Sequence, residues 1–197
     1  MIGTRIDGIL NAAGDIIARR GFHQASIRDI ARAAGLSLAG LYHYVGGKDE
    51  LLFLVLDRAL DRLLAALDLA VSDARTPERK LRALVRTHLT FAFEEPAALK
   101  VINRDWELLA GAQRGEIAAK RAQYLHRAGA VLQALDPRGR TADELQAATS
   151  LLLAMLNGIA TRPFVRARTD ARALAADVTT LFLHGFLAPG PVEEVTA

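Results

Sequence analysis

The segment Ile27-Arg28-Asp29-Ile30-Ala31-Arg32-Ala33-Ala34-Gly35-Leu36-Ser37-Leu38-Ala39-Gly40-Leu41-Tyr42-His43-Tyr44 has the spacing of a helix-turn-helix. Counting Ile27 as the first position, small Ala31 falls fifth, where two helices touch. Gly35 falls ninth, where the turn calls for a left-handed backbone. Ile30, Ala34, Leu36, Leu41 and Tyr44 take the inward positions. Ser26 caps the first of the two helices, with Asp29 three residues on, and Ser37 caps the second, leaving backbone N–H groups at both starts for phosphate oxygens. The same spacing also suits a plain helical hairpin with no nucleic-acid role.

Outward from this segment the chain reads as all-α. Ile6, Ile9, Leu10, Ala13, Ile16 and Ile17 recur at one-face helical spacing, and period-two alternation is nowhere sustained. Asp7-Gly8 and Asn157-Gly158 are hairpin dipeptides by type, yet each sits within helical periodicity and is read as helix. The expected helices are Thr4–Arg20, Ser26–Ala34, one from Ser37 ending at Gly46-Gly47, and Lys48–Ser72. Beyond them come Pro77–Glu94, Pro96–Ala110, Arg114–Asp136, Thr141–Thr161 and Asp170–Phe186. Proline opens two of these, and Thr141 with Glu144 forms a capping box. The tail from Pro189 is expected to fray.

Composition excludes several classes. Among 197 residues, 25 Lys or Arg against 22 Asp or Glu leave +3, too little to demand a nucleic-acid partner by bulk charge. Apolar runs reach only six residues, at Leu51–Leu56 and Leu151–Leu156, against about 20 for a membrane span. No membrane partner is expected. The N-terminus meets Asp7 before any apolar block, so a cytoplasmic protein is expected. The absence of cysteine removes disulfides, thiolate metal sites and cysteine nucleophiles. Gly46-Gly47-Lys48-Asp49 fails as a phosphate loop, because Tyr42 replaces the first glycine and Asp49 the magnesium-holding hydroxyl. The five histidines include no i, i+4 pair, and none of the four serines sits in Gly-x-Ser-x-Gly. The reading is therefore of a protein that is not an enzyme, with no catalytic residues, no metal and no cofactor.

Ile9-Leu10-x-Ala12-Ala13, Gly21-Phe22, Ser26-Ile27-x-x-Ile30-Ala31, Ala34-Gly35-Leu36-Ser37, Leu41-Tyr42-x-Tyr44 and Lys48-Asp49-Glu50-Leu51-Leu52 together resemble the N-terminal domain of the TetR family of bacterial transcription regulators. Two positions depart from that pattern: Val45 stands where the family usually has Phe, and Gly47 where a Ser commonly caps the fourth helix. The resemblance implies a three-helix DNA-binding head over residues 1–47 and a larger helical body over 48–197 for effector binding and dimerisation. In a recognition helix the N-terminal side chains reach base edges, here Leu38, Ala39 and Gly40, with His43 one turn on. His43 suits a base contact or a solvated surface equally. Tyr42 and Lys48 match phosphate-holding positions of the family, and Arg28 is a further phosphate candidate. Residues 1–50 hold six Lys or Arg and five Asp or Glu, so contacts must come from placement.

In the body, Ala147, Ser150, Ala154 and Gly158 form a stripe of small residues, and Leu151, Leu174, Val178, Leu181 and Phe182 add apolar area. The stripe suits a homodimer built as a four-helix bundle, or an intramolecular helix pair. A symmetric dimer implies palindromic double-stranded DNA. His88, Phe91, Trp106, Arg121, Tyr124, Asn157 and Arg162 are the candidate contacts for a small-molecule effector. Arg104-Asp105-Trp106-Glu107-Leu108-Leu109 with Arg121-x-x-Tyr124 resembles the family branch that responds to acyl-coenzyme A. Arg162, Arg166, Arg168 and Arg172 suit an anionic ligand or compensate helix-end charge. The expected protein is a ligand-responsive repressor; the rivals are an effector-independent DNA-binding protein and a small-molecule-binding protein with weak DNA affinity.

Overall fold

Helical periodicity is realised as nine α-helices among the described residues, with no strand among them. The structure, a computed structural model, describes residues 2–160, 162 and 170–188. The helices are α1 Ile2–Arg20, α2 Ile27–Ala33, α3 Leu38–Tyr42, α4 Lys48–Ser72, α5 Pro77–Glu94, α6 Pro96–Arg104, α7 Gly111–Leu135, α8 Ala142–Ala160 and α9 Ala171–Leu187. Both hairpin-type dipeptides lie inside helices, α1 and α8. None of the described helices is long and apolar enough to cross a membrane. The region around Arg166 and Arg168 and the tail from Pro189 lie outside the described residues.

By packing, the chain divides into two units. The first comprises residues 1–66 and 91–124, the second residues 67–90 and 125–197. In the first unit, Ile9, Ala13 and Ile17 of α1 meet a core containing Ile30, Leu41, Leu51, Leu52 and Leu56, all at most 1% exposed. Each such Ile or Leu side chain contributes about 1.5–3 kcal/mol by leaving water. α6 packs along α1, and α2 bridges α1 and α3. In the second unit, Leu81, Leu84, Leu89, Leu132, Leu152 and Leu156 are fully buried. Its buried hydroxyls are satisfied within their own helices: Thr149 donates to the Leu145 carbonyl and Thr179 to that of Ala175, each at 2.6 Å.

Helix ends follow local chemistry where a side chain supplies the missing partner. Ser26 Oγ accepts from the Arg28 amide at 3.2 Å, and Asp170 Oδ1 from the Ala173 amide at 2.7 Å. The Thr141 amide donates to Glu144 Oε2 at 2.8 Å and the Glu144 amide returns to Thr141 Oγ1 at 3.3 Å, a complete capping box. Asp29 does not join the Ser26 cap; it pairs with Arg20 at 2.6 Å.

Three expectations need correction. The helix from Ser37 stops at Tyr42 rather than at Gly46-Gly47, and the buried position after it belongs to Val45, 3% exposed. Tyr44, expected inward, is 37% exposed. The helix from Pro96 ends at Arg104 instead of Ala110, because Asp105 turns into the interior beside the Arg104 guanidinium and a 3-10 turn, Trp106–Leu108, follows.

Gly35 has φ +66°, and a Cβ built on it meets nothing within 4 Å. Gly35→Ala therefore strains only the backbone and should lower stability by about 1–2 kcal/mol. Gly35→Asn should recover part of this. Urea denaturation checks it: equal midpoints for Gly35→Ala and the parent would contradict a left-handed requirement in the turn.

Candidate nucleic-acid interface and effector residues

The turn between α2 and α3 is held by short-range bonds that leave one face of α3 open. Ser37 Oγ accepts from the Gly40 amide at 3.0 Å, and a Cβ on Gly40 would lie 3.1 Å from that oxygen. Gly40 thus has a local reason to be glycine. Leu38 and Gly40 are half-buried, whereas Ser37, Ala39, Tyr42 and His43 are exposed, the last three at i, i+3 and i+4 on one face. Tyr42 is 49% exposed, unusually open for an aromatic side chain in a small head. Tyr44, for which the spacing predicts an inward position, adds a second exposed ring.

Of the cations, Arg28 is exposed in the first turn of α2, and its guanidinium has no ion pair or hydrogen bond among the described residues. Ser26, half-buried, is committed to its cap. Lys48 is half-buried and partly engaged: Nζ donates to the His23 carbonyl at 3.1 Å and lies 4.5 Å from the Phe22 ring centroid. It therefore ties the start of α4 to the loop after α1, with further N–H donors remaining. Ala39, Tyr42 and His43 thus share the exposed face of α3, while Arg28 lies in the first turn of α2 and Lys48 opens α4.

The head is anchored from α6. Arg104 Nη2 donates to the Ile17 carbonyl at 2.7 Å and Nη1 to that of Ala18 at 3.4 Å, while Nε and Nη2 hold both oxygens of Asp105 at 3.0 and 2.7 Å. The Asp105 side chain is 4% exposed. Hydrogen bonding to Asp105 raises the Arg104 pKa, so the cation is fixed there. On α4, Arg58 donates to Asp7 Oδ1 at 2.8 Å and Asn11 Oδ1 at 2.6 Å, a second tie to α1.

The candidate effector residues fall into both units. In the second, the His88 ring lies 3.2 Å from Asn157 Oδ1, and Arg162 is exposed. In the first, Arg121 stacks 4.7 Å from the Trp106 centroid, Arg114 lies 5.9 Å from it, and Arg121 Nη1 donates to the Ile102 carbonyl at 2.8 Å. Burial lowers the Arg121 pKa, against the attraction of Glu107. Phe91 and Tyr124 are buried in the first unit, and burial pushes the Tyr124 hydroxyl pKa up. The structure thus brings these residues together as two pairs, His88 with Asn157 by a hydrogen bond and Trp106 with Arg121 by a cation–π contact. Signals for the Arg104 clasp were present in Arg104-Asp105, but nothing in the spacing pointed to the end of α1.

The α8 stripe lies outward. Ala147, Ser150, Leu151, Ala154 and Gly158 are exposed, Leu151 at 69%, and Leu181 of α9 is 70% exposed. Leu174 is half-buried, as is Phe182, which stacks on Phe186 at 5.5 Å between centroids. Val178 corrects the expectation: it is 2% exposed and belongs to the core of its own unit.

A short helix-turn-helix at the N-terminal end of an otherwise helical chain defines a helix-turn-helix protein of the regulator type. Residues 9–55 match the family described as "Bacterial regulatory proteins, tetR family", and residues 74–186 match "Tetracyclin repressor-like, C-terminal domain". The chain belongs to the TetR family of bacterial regulatory proteins. Among curated relatives, the HTH-type transcriptional regulator BetI of Brucella abortus (strain 2308) is 33% identical over 93 residues, 46% of this chain and 47% of BetI. The match thus spans about half the length of that relative. A TetR-family transcriptional regulator from Bordetella parapertussis 12822 superposes with TM-score 0.86 at 26% identity, over 94% of this chain and 97% of that one. AibR, solved in complex with isovaleryl coenzyme A and operator DNA, shares the fold at TM-score 0.80 and 24% identity, over 90% of this chain and 97% of AibR.

Burial of His88 lowers its pKa from 6.5 to about 4, against the hydrogen bond with Asn157, so the folded protein holds it neutral. The unfolded chain takes up a proton near pH 6.5 and the folded one does not until about pH 4. Stability is therefore fully present above pH 6.5 and is lost as pH falls from there toward 4, by on the order of 3 kcal/mol. His88→Gln should flatten that part of the profile in urea denaturation between pH 7 and pH 4.5. A parent protein whose stability does not change more steeply than the variant's would contradict the burial of a neutral His88.

Proposed function

We propose that this protein is a dimeric transcriptional repressor of the cytoplasm that leaves a palindromic operator when an acyl-coenzyme A thioester binds its body. The observation that carries the DNA part is the open face of α3, with Ala39, Tyr42 and His43 exposed together, and Arg28 exposed at the start of α2 with no ion pair among the described residues. Leu38, Gly40 and the capped starts at Ser26 and Ser37 complete the head's contact set, and Lys48 supplies a phosphate contact while bracing the loop. In this reading residues 1–47 are the DNA-binding part and 48–197 the effector-binding and dimerisation part. The outward apolar stripe on α8, with Leu181 on α9, supports self-association, because apolar area of that kind left in water marks an interface.

Effector response follows from how the head is held. α6 grips the last turn of α1 through Arg104, so displacement of α6 carries α1 with it. An effector acts only by its differential affinity for the two arrangements, and a tenfold release of DNA needs about 1.4 kcal/mol. The candidate contacts are His88, Phe91, Trp106, Arg121, Tyr124, Asn157 and Arg162. The acyl-coenzyme A class is supported by the sequence around Arg104–Leu109 and by the ligand of AibR.

The test is fluorescence anisotropy with double-stranded DNA from upstream of the protein's own coding sequence, titrated with acetyl-, isovaleryl- and palmitoyl-coenzyme A. The parent should bind a palindrome within that DNA, and at least one ester should release it. Ala154→Arg, at an exposed position, should keep the fold but sediment as a monomer and bind the palindrome weakly. DNA binding untouched by every ester would sink the effector class, and a tight Ala154→Arg dimer would move the interface.

A further inference from the structure

The second unit contains a cleft of about 570 Å³ whose chemistry the repressor reading does not use. Its floor is small: Ala70, Ala74, Ala83, Ala175 and Ala176 leave the space open. Its rim is cationic. Arg79, Arg82 and Arg86 project from α5 and Arg172 from α9, with Asp73 the single acid among the lining residues. All four arginines are exposed, and none of their guanidinium groups has an ion pair or hydrogen bond among the described residues.

This placement runs against ordinary helix electrostatics. Arg79 and Arg82 lie in the first two turns of α5, and Arg172 is the second residue of α9. Helix N-termini carry partial positive charge, and cations are normally favoured at the other end. Glu78 in the first turn of α5 and Asp170 at the α9 cap offset the two helix ends, but on the cleft rim four guanidinium groups still face the single carboxylate of Asp73, and an anion relieves their mutual repulsion. Guanidinium forks match phosphate oxygens in pairs, and several forks around one cavity match linked phosphates better than a single carboxylate. The cleft is within the usual size range for small-molecule sites.

We propose that the cleft bounded by Arg79, Arg82, Arg86 and Arg172 is a binding site for a small polyphosphate anion carrying a diphosphate group. The site stands on its own charge and shape, so it holds whether or not the effector is an acyl thioester. Two sources present this chemistry, the head group of coenzyme A and a free nucleoside diphosphate.

Isothermal titration of the full chain at low salt, where exposed charges are least screened, tests it. The ligands are inorganic pyrophosphate, ADP and coenzyme A, and the proteins are the parent, Arg82→Gln/Arg86→Gln and an Arg138→Gln control. Both arginines of the double variant are exposed, so its melting curve should match the parent's. Saturable pyrophosphate binding that weakens by about tenfold or more in the double variant, and not in the control, supports the site. Coenzyme A binding tighter than ADP then assigns it to the coenzyme head group; ADP binding as tightly or tighter assigns it to a nucleotide. No saturable binding by any of the three, or equal binding by all three proteins, overturns it. Loss of binding in the double variant with DNA release by acyl esters unchanged keeps the anion site and separates it from the effector, whereas pyrophosphate binding without release by any ester leaves the site standing and removes the thioester reading.

Discussion

Arg104 is the contact on which the orientation of the head depends. The carbonyls of the last turn of α1 are open to further donors, that of Ile17 while also accepting from the Gly21 amide at 2.8 Å, and the loop to α2 begins there. Arg104 supplies a charged donor to two of them while its other side neutralises Asp105, an acid that would be costly to bury alone. One side chain therefore ends α6, holds a buried carboxylate and closes α1. Because α2 packs on α1 and α3 on α2, the open face of α3 inherits its direction from this clasp.

The remaining ties of the first unit reinforce the same geometry. Arg58 reaches Asp7 and Asn11 on α1, Lys48 reaches the His23 carbonyl, and Arg20 pairs with Asp29 across the loop to α2. These are partly exposed and individually modest, so their effect is to select an arrangement rather than to supply stability. The apolar core supplies that. The second unit has a different character: its polar interior groups are paired, as at His88 and Thr179, while apolar residues of α8 and α9 face outward and four arginines surround an alanine floor. A single chain leaves those surfaces unsatisfied, which is the physical reason for reading partners into this unit.

Much of the architecture was legible because helix ends were written locally. Pro77, Pro96, Ser37, Asp170 and the Thr141–Glu144 box act on neighbouring backbone groups, and the structure starts helices beside each. The failures lie where distant residues decide. Trp106-Glu107-Leu108 keeps helical apolar spacing, but Asp105 turns inward to Arg104, and that depends on α1 lying alongside. Helical counting puts Tyr44 inside, but the helix ends at Tyr42 and Val45 fills the position instead. Val178 carries the same apolar signature as Leu181, and only packing shows that one is buried and the other is open. The arginine cleft was half legible: Arg79, Arg82 and Arg86 share one helix face by spacing, whereas their meeting with Arg172 required the tertiary fold.

If the Arg104 clasp holds the head, removing its charge must loosen the end of α1 before anything else. Native-state hydrogen exchange on Arg104→Met reads this directly. The amide of Gly21, which donates to the Ile17 carbonyl at 2.8 Å, and its neighbours in the last turn of α1 should exchange about tenfold faster or more, while amides of α8 keep their protection. Unchanged protection at Gly21, or an equal loss throughout both units, would contradict a local clasp and leave the orientation of the head to apolar packing alone.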